Sequence, residues 1–220
     1  MSGADFIHRF VLAPSGSART LLLLHGTGGN ENDLLDLGQA LDPDAALLSP
    51  RGRVLENGAP RFFRRLAEGV FDEKDVVLRA HELAAFIDAA STQYRIDRKG
   101  LITVGYSNGA NIAAAMMLLG IAAFSKAILL RPMVPLQPPT LPDLKDVRVL
   151  LLAGQLDPIA RPPIVTELEQ LFRKAGAEVS LQFQPSGHEL TSGDVRAARE
   201  WLESDNPGGT RSVASHNSGT

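Results

Sequence analysis

The stretch "TVGYSNGAN", residues 103–111, places a serine between two glycines, after an apolar run and before an alanine-rich one. The apolar "LITV" has the continuous pattern of a buried strand, and "NIAAAMMLL" predicts a helix. Gly105 and Gly109 then flank a sharp strand-to-helix corner, where a side chain would meet a neighbouring strand or helix. Ser107 is either a nucleophile raised on this turn or only a small residue that the turn requires.

Short apolar strands alternate with longer helices along the rest of the chain, which is typical of a mostly parallel sheet. The strands are predicted in "FIHRFVLA", "RTLLLLHG", "AALLSP", "GLITVG", "KAILLRPMVP", "VRVLLLAGQLDP" and "EVSLQFQPSG". The helices are predicted in "NENDLLDLGQALDPD", "DEKDVVLRAHELAAFIDAASTQY", "NGANIAAAMMLLG", "PPIVTELEQLFRKAG" and "SGDVRAAREWLES". The first strand alternates as an edge or antiparallel strand does, and residues 51–71 show no clear period, so they are predicted as a long irregular loop.

These elements predict a single α/β domain over residues 1–204, without a separate cap domain, followed by a mobile polar tail over residues 205–220. The composition is that of a globular protein, with 44% hydrophobic residues, 21% charged residues and a net charge of -3. No block of Lys or Arg favours binding to nucleic acid or to an anionic membrane. A homodimer stays compatible with the sequence.

The chain has no cysteine, which excludes a disulfide framework and a thiol nucleophile and fits a reducing cytoplasm. Neither a secretion signal nor an apolar run of membrane-spanning length is evident, so we expect a cytoplasmic protein without stable membrane insertion. No cluster of histidines and carboxylates has the spacing of metal ligands. We therefore expect no metal and no cofactor.

A serine hydroxyl needs a base to accept its proton, and His188 is the best placed of the five histidines. In "FQPSGHEL" it follows the last predicted strand, so it should lie at the carboxyl ends of the strands, where α/β sheets place their sites. The alternative is a histidine in a surface loop without catalytic function.

A histidine base in turn needs a carboxylate that fixes its tautomer, and Asp157 in "VLLLAGQLDPIA" directly follows an apolar strand. The alternative is that Asp157 only starts a turn or caps the next helix. Asp143 and Asp146 precede the same strand and should lie at the opposite edge. The order Ser107, Asp157, His188 is that of α/β-hydrolases and differs from the orders of chymotrypsin and subtilisin.

Donors for a developing oxyanion are predicted in the glycine-rich "LLLLHGTGGNEND" and in the turn after Ser107. The backbone N–H groups of Thr27 and Asn108 are the two candidates, and Asn108 is expected to act only through its backbone. His25 is interpreted as a scaffold residue of this loop. A phosphate-binding loop is the competing interpretation, but "GTGGNE" lacks the Gly-Lys-Ser/Thr ending of that motif.

The substrate pocket is expected between residues 56–75 and 132–142. Its candidate apolar lining consists of Phe62, Phe63, Phe71, Met133, Ile159 and Leu190. The alternative for the phenylalanines is that they anchor the core. Arg61, Arg64 and Arg65 form a cluster that would suit an acidic substrate group, but a solvated surface cluster is the favoured interpretation.

Together, "LLLLHGTGGNENDLL", "GYSNGAN", "AGQLDPI" and "SGHEL" resemble the bacterial phospholipase/carboxylesterase family of α/β-hydrolases, relatives of acyl-protein thioesterases and, more distantly, of dienelactone hydrolases. The resemblance spans about residues 20–203. It implies a small hydrolase acting on carboxylic esters, with Ser107, Asp157 and His188 as the triad. Acyl-protein thioesterases usually carry a glutamine where this chain has Asn108, and an aspartate where it has Gly29-Asn30.

Those two differences favour a serine carboxylesterase for small-molecule esters over a protein thioesterase. A lysophospholipase or an acyl thioesterase is the nearest alternative, because it differs only in pocket length and leaving group. A non-catalytic α/β-hydrolase-fold protein that binds a small ligand is the alternative from another class.

Overall fold

A computed structural model describes residues 6–14 and 16–204 of the chain. In chain order, its strands are β1 (His8–Val11), β2 (Thr20–Leu24), β3 (Ala46–Pro50), β4 (Val54–Glu56), β5 (Ala59–Arg61), β6 (Arg65–Ala67), β7 (Val70–Phe71), β8 (Leu101–Tyr106), β9 (Lys126–Leu130), β10 (Arg148–Gly154) and β11 (Glu178–Gln184). The α-helices are α1 (Leu35–Leu41), α2 (Glu73–Tyr94), α3 (Asn108–Leu118), α4 (Pro162–Lys174) and α5 (Ser192–Ser204).

Seven strands form the central sheet of the described residues, in the order β1-β3-β2-β8-β9-β10-β11. Strand β1 pairs antiparallel with β3 at one edge, and the other pairs are parallel. The predicted α/β fold is therefore confirmed, including the antiparallel edge position of the first strand. Parallel neighbours bring the carboxyl ends of β2, β8, β9, β10 and β11 to one edge, and the loops that follow them meet there.

Helices cover both faces of this sheet. Helices α2, α3 and α4 pack on one face with Leu22 and Leu24, and α1 and α5 pack on the other with Leu21 and Leu23. These four leucines are fully buried because successive side chains of a strand point to opposite faces. Burial on both sides explains why β2 reads as a continuous apolar run instead of an alternating one.

The prediction of an irregular segment over residues 51–71 was wrong. Strands β4 and β5 form one antiparallel hairpin, and β6 and β7 form a second. The first hairpin turns at Asn57 and Gly58, which both have positive φ, 52° and 83°. Asn-Gly is a strong sequence signal for a two-residue hairpin turn, since both residues tolerate that backbone conformation.

The ends of two helices agree with their sequence signals. Asp72 precedes α2, and its side chain accepts a hydrogen bond from the backbone N–H of Asp75 at 3.2 Å. Gly176, at φ 97°, follows α4 in the left-handed conformation that closes many helices. Helix α1 is shorter than its apolar pattern suggested, because turns occupy residues 31–34.

Within residues 6–14 and 16–204, no helix is both long and apolar enough to cross a membrane. The predicted domain of residues 1–204 contains all the elements named above. The predicted mobile tail, residues 205–220, lies outside the described residues.

The corner between β8 and α3 leaves no room for side chains at its two glycines. A Cβ atom on Gly109 would lie 2.0 Å from the carbonyl oxygen of Leu24, at the end of β2. A Cβ atom on Gly105 would lie 2.7 Å from the backbone nitrogen of Ala110. Both neighbours are backbone atoms within regular structure, so the helix can begin here only because the side chains are missing.

We therefore expect Gly109→Ala to destabilise the protein by more than about 4 kcal/mol, because α3 would have to move away from β2. Gly58→Ala is the matched control. Gly58 has a positive φ, but a Cβ atom added there would have no neighbour within 4 Å, so this variant should lose only about 1–2 kcal/mol through backbone strain. Urea unfolding measures both variants. Equal, small losses would contradict the close contact between α3 and β2.

Candidate active site

Ser107 occupies the strained corner between β8 and α3. Its backbone has φ 52° and ψ -113°, a conformation that non-glycine residues rarely adopt. The N–H of Ser107 donates to the carbonyl of Leu130 at 2.9 Å, and its own carbonyl accepts from the N–H of Asn111 at 2.9 Å. The neighbouring strand and the first turn of α3 thus hold the residue in this conformation.

A chain of two hydrogen bonds joins Ser107, His188 and Asp157. The Nε2 atom of His188 lies 2.9 Å from the Oγ atom of Ser107, and its Nδ1 atom lies 2.8 Å from Oδ2 of Asp157. An ionised carboxylate only accepts hydrogen bonds, so Nδ1 carries the proton and donates it. In the neutral ring, Nε2 is then free to accept the hydroxyl hydrogen of Ser107.

The Asp157 side chain is fully buried, and both of its oxygens have partners. Oδ2 faces His188, while Oδ1 accepts hydrogen bonds from the backbone N–H groups of Ile159 at 2.8 Å and Ala160 at 2.9 Å. Asp157 therefore holds the turn before α4, as the alternative interpretation proposed, and contacts His188 as well. The backbone donors fix the carboxylate, so its orientation does not depend on the histidine alone.

The glycine-rich loop after β2 packs directly against Ser107. A Cβ atom on Gly26 would lie 2.9 Å from Cδ1 of Tyr106 and 3.6 Å from Cβ of Ser107. The first hairpin holds the loop from the other side. The N–H of Gly28 donates to the carbonyl of Pro60 at 2.9 Å, and Nη1 of Arg61 donates to Oγ1 of Thr27 at 2.7 Å.

Two backbone N–H groups at this edge have no acceptor among the described residues. Thr27 is exposed, and its N–H makes no hydrogen bond within residues 6–14 and 16–204. Asn108 is the first residue of α3, a position whose N–H has no partner inside the helix. Neither of the two predicted donors is therefore engaged by another group of the described residues.

His25 is a buried member of the same loop with a defined tautomer. Its Nδ1 lies 2.7 Å from the carbonyl oxygen of Gly26 and must donate, and its Nε2 accepts from the N–H of Gly52 at 2.9 Å. Burial lowers the pKa of His25 below its usual value, so the ring stays neutral. This geometry agrees with the scaffold interpretation of His25.

The side chain of Asn108 has a structural contact that the sequence did not reveal. Its Oδ1 atom accepts from the N–H of Phe62 at 2.7 Å, and the side chain is almost completely buried. The expectation that Asn108 acts only through its backbone is therefore incomplete, because the amide also ties the start of α3 to the segment after β5.

The three arginines of the predicted cluster, Arg61, Arg64 and Arg65, all form ion pairs. Arg61 is buried and lies 3.2 Å from Glu56, Arg65 lies 2.8 Å from the same carboxylate, and Arg64 pairs with Asp72 at 2.5 Å. They form no free cationic cluster for an acidic substrate group. The exposed Arg64 fits the surface interpretation, whereas Arg61 supports the glycine-rich loop.

A groove of about 470 Å³ lies between the two segments expected to wall the pocket. Its lining is Gly69, Val70, Phe71, Glu73, Met133, Val134, Pro135, Leu136, Gln137, Ile164 and Glu167. Its position is tied to α3, since Oδ1 of Asn111, one turn after Ser107, accepts from the N–H of Met133 at 2.7 Å.

Two of the six residues predicted to line the pocket lie in the groove, and the other four do not. Phe71 and Met133 line the groove. Phe62 and Phe63 do not, because they are 3% and 0% exposed within the core, as the alternative interpretation stated. Ile159 is partly buried against the same core, and Leu190 packs on the opposite face of the sheet with α1 and α5.

Two residues that sequence reasoning missed contact the His188 segment. The hydroxyl of Tyr106 donates to the carbonyl of His188 at 3.0 Å, and burial raises the pKa of this phenol, which keeps it a donor. Arg131, directly after β9, donates to the carbonyls on both sides of His188. Tyr106 stands beside Ser107 in the motif and could have been considered, whereas no local pattern marks Arg131.

Comparisons with known proteins agree with this architecture. The sequence profile of the phospholipase/carboxylesterase family matches residues 8–206. MhqD of Bacillus subtilis (strain 168), which is named as a hydrolase, is 51% identical over 187 residues, covering 85% of this chain and 94% of MhqD.

Two solved carboxylesterases have similar structures. The Bacillus cereus carboxylesterase is 46% identical with a TM-score of 0.88, and the match covers 92% of this chain and 96% of that one. The carboxylesterase from Mesorhizobium loti is 33% identical with a TM-score of 0.85, covering 92% and 97% of the two chains.

Because burial lowers the pKa of His25, the stability of the folded protein should depend on pH. Below the usual pKa of histidine, the unfolded chain binds a proton at His25 that the folded protein excludes, so stability falls as the pH falls through that range. His25→Gln removes this titration while keeping an acceptor for the N–H of Gly52. We expect the melting temperature to fall less between about pH 7 and pH 5 in His25→Gln than in the wild type. The same fall in both proteins would contradict a neutral, buried His25.

Proposed function

This chain belongs to the phospholipase/carboxylesterase family of hydrolases, and we propose that it is a serine carboxylesterase that cleaves small carboxylic esters through an acyl-enzyme on Ser107. The observation that carries this proposal is the continuous hydrogen-bonded chain from Ser107 through His188 to Asp157. A serine with a base at 2.9 Å, itself oriented by a buried carboxylate, is the arrangement that activates a hydroxyl for nucleophilic attack.

The first half of the reaction acylates Ser107. His188 Nε2 takes the hydroxyl proton while Oγ of Ser107 attacks the ester carbonyl carbon, and the carbonyl oxygen becomes an oxyanion. As the tetrahedral intermediate collapses, the C–O bond to the alcohol breaks and the imidazolium of His188 gives its proton to the leaving alkoxide. The products are a free alcohol and an acyl group on Ser107.

The second half repeats these steps with water. His188 removes a proton from a water molecule that attacks the acyl carbonyl, and then returns the proton to Oγ as the acid leaves. Asp157 stabilises the imidazolium that forms twice in this cycle and keeps Nδ1 protonated. Its bonds to the N–H groups of Ile159 and Ala160 support this orienting role.

The N–H groups of Thr27 and Asn108 are the proposed oxyanion donors. Both are without an acceptor among the described residues, and a Cβ atom added to Gly26, the residue before Thr27, would lie 3.6 Å from Cβ of Ser107. Donors fixed in advance stabilise the developing charge more effectively than water, because they need not reorient. Arg61, which holds the side chain of Thr27, contributes to that fixed geometry.

The apolar groove beside α3 is the proposed binding place for the acyl or alcohol portion of the ester. Phe71, Met133 and Ile164 supply apolar surface, while Glu73 and Glu167 are the ionisable groups in its lining. A groove without a basic residue among its lining does not favour an anionic substrate.

Covalent labelling tests the nucleophile. A fluorophosphonate probe should label the wild-type protein, and Ser107→Ala should abolish both labelling and ester hydrolysis, because the attacking oxygen is missing. Ser91→Ala is the matched control, since this buried hydroxyl has no hydrogen-bond partner among the described residues and lies on α2. The control should be labelled as the wild type is.

Absence of labelling in the folded wild type would contradict the proposal and would favour the non-catalytic ligand-binding alternative. Labelling that persists in Ser107→Ala would place the nucleophile elsewhere.

A series of nitrophenyl esters of increasing acyl length tests the substrate class. Each buried methylene contributes about 0.8 kcal/mol, so kcat/KM should rise with acyl length until the groove is filled and then fall. Met133→Ala lengthens the groove and should move the optimum toward longer acyl chains. Leu78→Ala, at an exposed position of α2, is the control and should leave the optimum unchanged.

An optimum at long acyl chains, or a clear preference for thioesters, would favour the lysophospholipase or thioesterase alternative over a small-ester carboxylesterase.

A further inference from the structure

The segment Ser186–Glu189, which carries His188, lies between β11 and α5 and belongs to neither. Its backbone therefore lacks the regular hydrogen bonds of a strand or a helix, yet His188 has to meet both Ser107 and Asp157. The side chain of Arg131 donates hydrogen bonds to backbone carbonyls of this segment. Its Nε donates to the carbonyl of Gly187 at 3.0 Å, and its Nη2 donates to the carbonyl of Glu189 at 2.7 Å.

These two carbonyls belong to the residues immediately before and after His188. Nη2 of Arg131 also donates to Oγ of Ser186 at 3.1 Å. The hydroxyl of Tyr106 takes the remaining carbonyl, that of His188 itself. One guanidinium and one phenol thus bind three consecutive carbonyls around the histidine, which fixes the backbone from which its side chain extends.

The guanidinium of Arg131 is completely buried, and its charge is balanced by Asp194 on α5. Two parallel hydrogen bonds join them, Nη1 to Oδ1 and Nη2 to Oδ2, each of 2.8 Å. Asp194 also accepts from the N–H and the hydroxyl of Thr191, at 2.8 and 2.9 Å. A buried cation without such a partner would be strongly unfavourable, so the pair acts as one unit.

Arg131 also lies close to the strands that lead to Ser107 and Asp157. Arg131 directly follows β9, whose last residue, Leu130, accepts the N–H of Ser107. Its Nη1 also donates to the carbonyl of Leu152 in β10, five residues before Asp157. At Gly154, a Cβ atom would lie 2.1 Å from the carbonyl oxygen of Gly187, so the segment rests directly on β10. Arg131 therefore ties the histidine segment to the strands that carry the serine and the acid.

We propose that Arg131, with Asp194 as its buried counter-ion, is a positioning residue that holds His188 within hydrogen-bond distance of Ser107. The inference rests on the proposed esterase function, in which His188 is the base. A buried ion pair contributes little net stability compared with apolar residues of similar size, so its presence here is explained by the position that it gives to the segment. Misplacing a catalytic group by about 1 Å costs on the order of 100-fold in rate.

The test replaces the pair by apolar residues of similar size, Arg131→Met with Asp194→Leu, so that no buried charge is left unpaired. We expect a folded protein in which kcat falls about 10- to 100-fold while KM changes less than about twofold, because the groove is untouched. Arg131→Lys provides a second variant, since one ammonium opposite Asp194 cannot reach both carbonyls. It should keep the fold and also lower kcat.

Arg173→Met is the matched control. Arg173 likewise pairs with an acid, Glu169, and donates to a backbone carbonyl, that of Val179 near the start of β11. Its loss should leave kcat unchanged. All rates are measured well below the melting temperature of each variant, where a purely structural role for Arg131 would leave kcat at the wild-type value.

A wild-type kcat in the folded double variant or in Arg131→Lys overturns the inference. If Ser107→Ala abolishes hydrolysis in the same assay, the proposed function stands and only the role of Arg131 is lost. If Ser107→Ala leaves hydrolysis intact, both the proposed function and the inference fall.

Discussion

The contact between the first turn of α3 and the end of β2 is the constraint on which the site depends. Gly109 lies so close to the carbonyl of Leu24 that no side chain fits there, and α3 begins directly after the corner that follows β8. Only one residue is left to make the corner, and Ser107 makes it at φ 52°. The same approach brings the glycine-rich loop after β2 against Ser107 and leaves the N–H of Asn108 beside it without a helical acceptor. If α3 lay farther from β2, Ser107 and the N–H of Asn108 would move away from the glycine-rich loop.

Three other polar groups at this edge are held by backbone atoms in addition to their side-chain partners. Asp157 is held by two N–H groups, His25 by a carbonyl and an N–H, and Arg131 by the carbonyls of Gly187, Glu189 and Leu152. Each is buried with its hydrogen-bonding capacity used, which avoids the large cost of an unpartnered buried group. Such an arrangement holds its dipoles in place before a substrate arrives, which is the condition for electrostatic stabilisation of an oxyanion.

Much of the fold and of the candidate site could be predicted from the sequence, because Ser107, Asp157 and His188 each follow a recognisable strand. Parallel strands bring such positions together whatever the details of packing. Arg131 could not be found in this way, since its role arises from the proximity of segments more than fifty residues apart. The burial of Phe62 and Phe63 likewise depends on packing against helices. The hairpin at Asn57-Gly58 was missed although its turn signal was present.

The central claim is that an acyl group is carried by Ser107 during turnover. The most direct measurement is rapid acid quenching of the protein with a slowly deacylating ester, followed by proteolysis and mass spectrometry of the peptides. The account predicts the mass of the acyl group on the peptide that contains Ser107, appearing at the rate of alcohol release. Turnover of the ester without any acylated peptide, or with the acyl group on another residue, would contradict it.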